Sequence, residues 1–423
     1  METANVQAFR GIRYNREKAP DLDAVVAPPY DVISPEQKES FLARDPSNVV
    51  RLILPDEAGG RDKYSQADHL LHEWLEEGIL LHDEQPSMYV CAQEYEVGGD
   101  MIRRIGLTCL VRLEDYGSGM ILPHERVLAR PREDRLNLIR ATRANLDSVF
   151  GLHAAEGVQA ILERITGGVP DAEAVDTVGV KCCMWKVSDP EIIDDLGGRL
   201  NDQPILIADG HHRYEAALTY RNEVRSDDPD APQEFVMMTV VSLEDRGLTI
   251  LPTHRLVRDI SGFDEVAVLN RLRESFDIRS SPPEDLMAKV AEEYDGRTAF
   301  GVYMGKGNAR VLKLKKDVDP TRMDVPGSDA LKRLDVTVLH SMILDGILGI
   351  DTRSPEGQAT VAYTRDDSEA IARVDNGEFR LSFMMNAMRV EEVREVAAAG
   401  DIMPQKSTFF YPKLLTGMVM RTM

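Results

Sequence analysis

The sequence predicts a mixed α/β or α+β protein. Three observations point to that class. Apolar strand-like runs and amphipathic helix-like runs alternate along the whole chain. No internal repeat and no low-complexity linker divides it into modules. The densest chemistry lies where the apolar run Ile205-Leu206-Ile207-Ala208 ends in Asp209-Gly210 and restarts as a helix through His211-His212-Arg213-Tyr214.

The chain has 423 residues, enough for two or three domains with substantial cores, and a formal charge of −22. That charge argues against a protein whose main business is gripping nucleic acid or an anionic membrane. Cys91, Cys109, Cys182 and Cys183 have no metal-ligand spacing, and the adjacent pair reads as small buried hydrophobes. Nothing calls for disulfides, Met1-Glu2-Thr3-Ala4 is no signal sequence, and no apolar run reaches membrane-spanning length. A cytoplasmic protein is therefore expected. Three regions are expected as well: an N-terminal α/β region over 1–120, a central region over 121–258, and a C-terminal α/β region over 259–423. The last strand segment is expected to pack back on the site.

Val6 to Tyr14 reads as a short strand, and Val25 to Ala27 as another ending at the double proline Pro28-Pro29. The stiff prolines hold Tyr30 and Asp31 at a fixed angle, in either a plain rigid turn or a functional loop. Ser34-Pro35-Glu36-Gln37 opens a helix with a serine cap and proline at its first position. Val49 to Leu54 is strand-like, and Lys63 to Glu77 is helical with Trp74 on its apolar side. Met88–Val97 and Met101–Leu113 form a predicted hairpin across Gly98-Gly99-Asp100.

A charged stretch follows: His124-Glu125-Arg126-Val127, then Arg130 to Arg135. Its arginines and His124 suit phosphates, and Glu125 suits a base or a metal ligand. A solvated helix entry laced with ion pairs explains it equally, since a long amphipathic helix runs from Asp134 to Arg143.

Val178 to Val187 is the strand before the central motif. There, a strand running into a helix start aims backbone N–H groups and partial positive charge at an anion. Gly210 permits the sharp turn, and Arg213 offers a guanidinium fork. Asp209 as a plain helix cap, with the histidines as surface residues, is the bland alternative. Phe235 to Leu243 and Leu248 to Leu251 are strands, the second leading through Pro252-Thr253 to His254-Arg255. Residues 260–325 alternate helix and hairpin, with Gly305-Lys306-Gly307 a hairpin turn rather than a phosphate loop. Leu334 to Leu348 is an amphipathic helix with His340 in the core or on its rim. Near the end, Lys406-Ser407-Thr408 offers a cation and hydroxyl donors, while Phe409, Phe410 and Tyr411 read as structural anchors.

Taken together, the chain resembles the bacterial and archaeal family called domain of unknown function 1015. The resemblance spans almost the full length. It rests on Ala27-Pro28-Pro29-Tyr30-Asp31, His124-Glu125 with Asp134-Arg135, Asp209 to Glu215, Leu251 to Arg255 and Pro404 to Lys413. The central motif is also similar to the Gly-x-x-Arg helix start of the ParB/sulfiredoxin superfamily, which includes ParB-like free serine kinases. That likeness implies a nucleotide-binding core elaborated by additional strand-helix units. It places nucleotide phosphates on Gly210, His212 and Arg213. With His211 and no cysteine in the motif, sulfinic-acid repair is not implied. There is no helix-turn-helix reader or basic surface to suggest chromosome partitioning.

The expected function is a nucleotide-dependent kinase for a small hydroxylated metabolite, with free serine the first guess, ATP or ADP as donor and Mg²⁺ as companion ion. Candidate catalytic residues are Asp209, Glu125 and His211. Candidate phosphate or substrate contacts are Gly210, His212, Arg213, His124, His254, Arg255, Lys406, Ser407 and Thr408. A non-catalytic nucleotide- or metabolite-binding regulator, and a metal-dependent phosphohydrolase or nuclease, are the competing readings. No nucleic acid or membrane partner is expected.

Overall fold

The computed structural model describes residues 5–423 except 126, 128, 202, 259, 261 and 295. Arg126, part of the charged stretch above, and the segment Met1 to Ala4 therefore lie outside the described residues. The protein is α+β, and it divides into two compact units. The first comprises Met1–Pro123, Val127–Thr249 and Pro412–Met423, and the second His124–Arg126 and Ile250–Tyr411. Both units draw on discontinuous stretches of chain.

The first unit is built on a mixed nine-stranded sheet. Its path runs Ile121–Leu122, Ile205–Asp209, Val149–His153, Phe235–Ser242, Asp100–Arg112, Met88–Val97, Lys181–Val187, Ala172–Val175, with Val6–Gln7 also on Asp100–Arg112. The hairpin read from the sequence is present, Tyr89 to Val97 pairing antiparallel with Asp100 to Thr108 across a glycine turn. Alternation along the strands separates two cores. Met88, Val90 and Ala92 join Tyr214, Ala216 and Ala217 of the motif helix on one face. Tyr89, Leu110 and Met237 join Trp74, Leu71 and Leu138 on the other.

Several local expectations are met. Ser34 caps its helix in a capping box with Gln37, and the helix Lys63–Glu76 buries Trp74. Others are corrected. Val50–Ile53 is a short helix, not a strand; its β-branched side chains are buried in a core, and Asn48 accepts the Val50 N–H. The first strand is split into Val6–Gln7 and Ile12–Tyr14, in different sheets. Gly11 sits at the break because its N–H donates to the Tyr89 hydroxyl at 2.8 Å, and a Cβ there would lie 2.3 Å from that oxygen.

The second unit carries an antiparallel six-stranded sheet in the order Phe276–Ser281, Ala309–Leu314, Ala299–Tyr303, Leu381–Met385, His254–Val257, Val361–Thr364. The predicted amphipathic helix near His340 begins as an α-turn over Asp335–Val338 and continues as a π-helix over Leu339–Asp345. His340 is buried within it, as the sequence allowed. Among the described residues no helix is long and apolar enough to cross a membrane.

Candidate functional site

The central motif forms the junction that its sequence implies. The strand Ile205–Asp209 carries a register shift between Ile207 and Asp209, so Asp209 rather than Ala208 faces Phe150 of the neighbouring strand. A bulge of this kind re-aims the side chain that follows it. Gly210 then turns at φ 90°, and the helix His211–Val224 begins with no side chain capping it. A Cβ on Gly210 would stand 2.9 Å from the Arg213 guanidinium, so the glycine provides room as well as conformation.

Asp209 is held between two cations. Lys413 donates to its Oδ1 at 2.5 Å, and Arg213 Nη2 donates to its Oδ2 at 2.6 Å. Burial by itself would push this carboxyl up, but Lys413 and Arg213 outweigh it and keep Asp209 far below the usual carboxylate range. A carboxylate held so low is a poor proton acceptor. The Arg213 side chain is 7% exposed, and its Nη1 donates to the Ser148 carbonyl. Its Nε is buried with no hydrogen-bond partner, a donor that a phosphate oxygen would satisfy.

Asp147 stands across from Arg213, with Oδ2 3.8 Å from Nη1 and no hydrogen-bond partner. Burial raises its carboxyl above the ordinary value, and Arg213 and Arg135 pull back only part of the way. Of the carboxylates at this junction it is the one suited to accept a proton. Arg135 is also buried; it donates to the Ile53 carbonyl at 2.8 Å and lies 3.9 Å from the centre of the Tyr30 ring. Its neighbour Asp134 accepts from Lys63 at 2.6 Å and Tyr64 at 2.9 Å. Burial raises the Asp134 carboxyl, but Arg135 and Lys63 bring it down to about 2.

Two cavities meet Asp147. One, a narrow cleft, is walled by Arg135, Arg213 and Asp147 with Leu138, Ile139 and Val149 among its apolar lining. The other, also narrow, is walled by Asp147, Ser148, Thr108, Thr239 and Gln93, with Cys91, Cys182, Cys183 and the segment Leu414–Thr416. Ser148, Thr239 and Thr108 form a hydroxyl chain there, at 2.9 and 2.8 Å.

The remaining predicted residues lie in the second unit. Three separate stretches of sequence meet there: His124-Glu125, Leu251 to Arg255, and Met403 to Phe410. His124 Nε2 is 2.9 Å from the Thr408 hydroxyl, and Glu125 Oε1 accepts the Lys406 N–H at 3.2 Å. The Ser407 hydroxyl donates to the Pro404 carbonyl. His254 Nε2 meets Asp367 at 2.6 Å, while its Nδ1 accepts the Met385 N–H at 3.1 Å. Arg255 donates to the carbonyls of Thr253 and Lys406. Thus the predicted residues fall into two groups, Asp209 to Arg213 in the first unit and the other seven in the second.

Sequence reasoning passed over Asp147 and Lys413 as site residues, whereas Arg135 was visible among the arginines of the charged stretch. Asp147 has no motif around it, and Lys413 was visible only as the second lysine of the terminal stretch. Among the described residues no group of three or more His, Cys, Asp or Glu side chains could hold a metal ion. Both oxygens of Asp209 already face cations, so Asp209 is not placed to hold Mg²⁺.

The profile of the family described as "Protein of unknown function (DUF1015)" matches residues 6–337. Among solved structures, the chain is similar to a conserved hypothetical protein from Pyrococcus furiosus, at 15% identity and a TM-score of 0.34, with 72% of this chain and 90% of that chain covered. A free serine kinase in complex with AMP is similar at 15% identity and a TM-score of 0.34, covering 72% and 86%. SbnI with a C-terminal truncation, from Staphylococcus aureus, is similar at 10% identity and a TM-score of 0.35, covering 73% and 85%. TM-scores of this size leave ligand and chemistry to be read from this chain's own residues. No curated protein matches the chain.

Proposed function

We propose that this chain, which belongs to the DUF1015 family of proteins of unknown function, is a nucleotide-dependent phosphotransferase acting on a small hydroxylated metabolite. Free serine is the first substrate to test. The observation that carries the reading is the position of Asp147, on the wall of both cavities, one bearing two arginines and the other a row of hydroxyls.

Arg213 and Arg135 stabilise the phosphates of ATP or ADP, and the start of the helix His211–Val224 adds backbone donors at Gly210 and His212. Asp209 acts indirectly, fixing Arg213 and Lys413 by charge. The acceptor lies against Thr108, Ser148 and Thr239. Its hydroxyl oxygen attacks the terminal phosphorus as the bond from that phosphorus to the bridging oxygen breaks. The shortened nucleotide leaves with the electron pair, and the hydroxyl proton passes to Asp147. His211 is assigned to orienting the Asp209 carboxylate, whose charge it favours. The proposal is confined to the first unit, and Glu125 is not its base.

The test is turnover of ATP or ADP with a pool of hydroxylated metabolites including serine, followed by mass spectrometry. A phosphorylated product that disappears in Arg213→Ala and Asp147→Asn supports the reading. Nucleotide binding without any product would replace it with the regulator.

A further inference from the structure

The six-stranded sheet of the second unit ends at the strand Phe276–Ser281, which is paired on one side only, to Ala309–Leu314. Lys315 continues that register by one residue, donating its N–H to the Ser275 carbonyl at 3.0 Å. Bonded residues alternate in an antiparallel ladder. Asp277, Arg279 and Ser281 therefore turn their backbone groups inward, while Phe276, Ile278 and Ser280 turn theirs to the open edge. The Phe276 N–H is taken by the Leu272 carbonyl at the end of the preceding helix. That leaves the N–H and C=O of Ile278 and Ser280, and the Phe276 C=O, along the edge.

Open edges invite pairing with another chain and are commonly blunted. Both ends of the nine-stranded sheet are. Val175, on the end strand Ala172–Val175, gives its N–H to the Asp23 carboxylate at 2.7 Å, and the opposite end strand Ile121–Leu122 has only two residues. Phe276–Ser281 instead runs six residues in unbroken register, without proline or bulge. Its exposed charges, Asp277 and Arg279, are opposite in sign and flank the half-buried Ile278. The Arg279 side chain is 71% exposed and reaches Glu293, which also takes Lys313 at 3.2 Å.

We infer that a second copy of this chain adds to this edge, antiparallel, about a two-fold axis at Ile278. Each Ile278 then exchanges N–H and C=O with Ile278 of the second copy, and each Ser280 N–H donates to the Phe276 carbonyl across the axis. Asp277 falls opposite Arg279 of the second copy, in the closer, non-bonded kind of pair where opposite charges attract. The row Lys313, Glu293, Arg279 thereby continues in alternating sign to Asp277 of the second copy. Sliding the pairing one bonded step either way sets Arg279 against Arg279 or Asp277 against Asp277, so charge fixes the register. The two-fold uses up both edges and closes the assembly at two chains. One short strand buries little area, so the dimer is weak and exchanging. The contact is made by the second unit alone and does not depend on the phosphotransferase reading.

The experiment is sedimentation equilibrium of the full chain from about 1 to 100 μM, at about 50 mM salt so that surface charges are little screened. The mass is expected to rise from one chain towards two. Asp277→Arg sets like charges together on both sides of the axis, and so does Arg279→Asp. Each variant alone, checked for native circular dichroism, is expected to dimerise about tenfold or more weakly. Mixed in equal amounts, the two variants carry opposite charges at both positions and are expected to form a mixed dimer, read by native mass spectrometry. A chain that stays monomeric at about 100 μM overturns the inference. So do charge reversals that leave dimerisation unchanged, or a mixture with no more mixed dimer than each variant forms with itself.

Discussion

Lys413 Nζ lies 2.5 Å from Asp209 Oδ1, an ion pair between residues 204 positions apart in the chain. Their side chains are only 12% and 16% exposed. Through this contact the C-terminal segment is tied to the strand end that positions Arg213. Removing one partner of a buried pair leaves the other charge in a poor dielectric. Lys413→Met is therefore expected to destabilise the first unit by about 3 kcal/mol, the low end of the usual range because Arg213 still holds Asp209. Both tryptophans, Trp74 and Trp185, lie in that unit, so their fluorescence during urea unfolding reports it selectively. The double variant with Asp209→Asn should lose less than the two single losses added.

Asp147→Asn separates chemistry from stability. Burial raises the Asp147 carboxyl while its charge supports the buried Arg213, so the two effects oppose and neutralising it should move the urea midpoint little. Loss of a general base lowers kcat by about 10²–10⁴-fold, with nucleotide affinity changed only slightly. Steady-state kinetics beside equilibrium binding measure both. An unaltered kcat would remove Asp147 from the mechanism.

Gly210→Ala tests the turn. The backbone there has φ 90°, and a Cβ would approach the Arg213 guanidinium to 2.9 Å. A non-glycine residue in the left-handed region costs about 1–2 kcal/mol, and the guanidinium must move as well. The variant should melt earlier and bind nucleotide more weakly. A variant with native affinity would show that Arg213 tolerates displacement.

Asp335 governs a pH response of the second unit. Burial raises its carboxyl to about 7, aided by Glu392 and opposed by a hydrogen bond from Thr298 and by Arg389. The folded state thus binds this proton more tightly than the unfolded chain does. Its contribution is fully present below the ordinary carboxylate value, near 4, and is lost as pH rises through about 7. In scanning calorimetry, Asp335→Asn should flatten the fall of Tm across that window. Parallel profiles for the two proteins would contradict the assignment.

The thiols give a further check. Burial pushes Cys91 up to about 11, and Cys109 and Cys182 up to about 12. All three should stay silent to a thiol reagent at pH 8 and react as the first unit unfolds in urea. Rapid modification of the native protein would show that these buried thiols open to solvent without unfolding.

Much of the local structure was legible because it depends on neighbours in the chain. Ser34, Pro35 and Gln37 specify a helix start among themselves, and the alternation of Met88 to Val97 around Gly98-Gly99 specifies a hairpin. The strand–glycine–helix junction at Asp209 to Arg213 was legible for the same reason. Its chemistry is packed into five consecutive residues, and only glycine adopts that turn without strain. Val50 to Ile53 was not legible. A buried β-branched run satisfies a strand or a short helix equally, and the surrounding core decides between them.

The sequence by itself determined the α+β class, the motif and the stock of charged residues that serve it. Only the tertiary structure decided how those residues are shared out. His124, Glu125 and Lys406 meet in one unit, while Asp209 and Arg213 meet Asp147 and Lys413 in the other. The reason is physical. Spacing along the chain dictates turns, caps and the faces of helices and strands. Whether a given lysine finds a given carboxylate depends on which strands pair and which segment returns across them, and that is set by burial of the whole core.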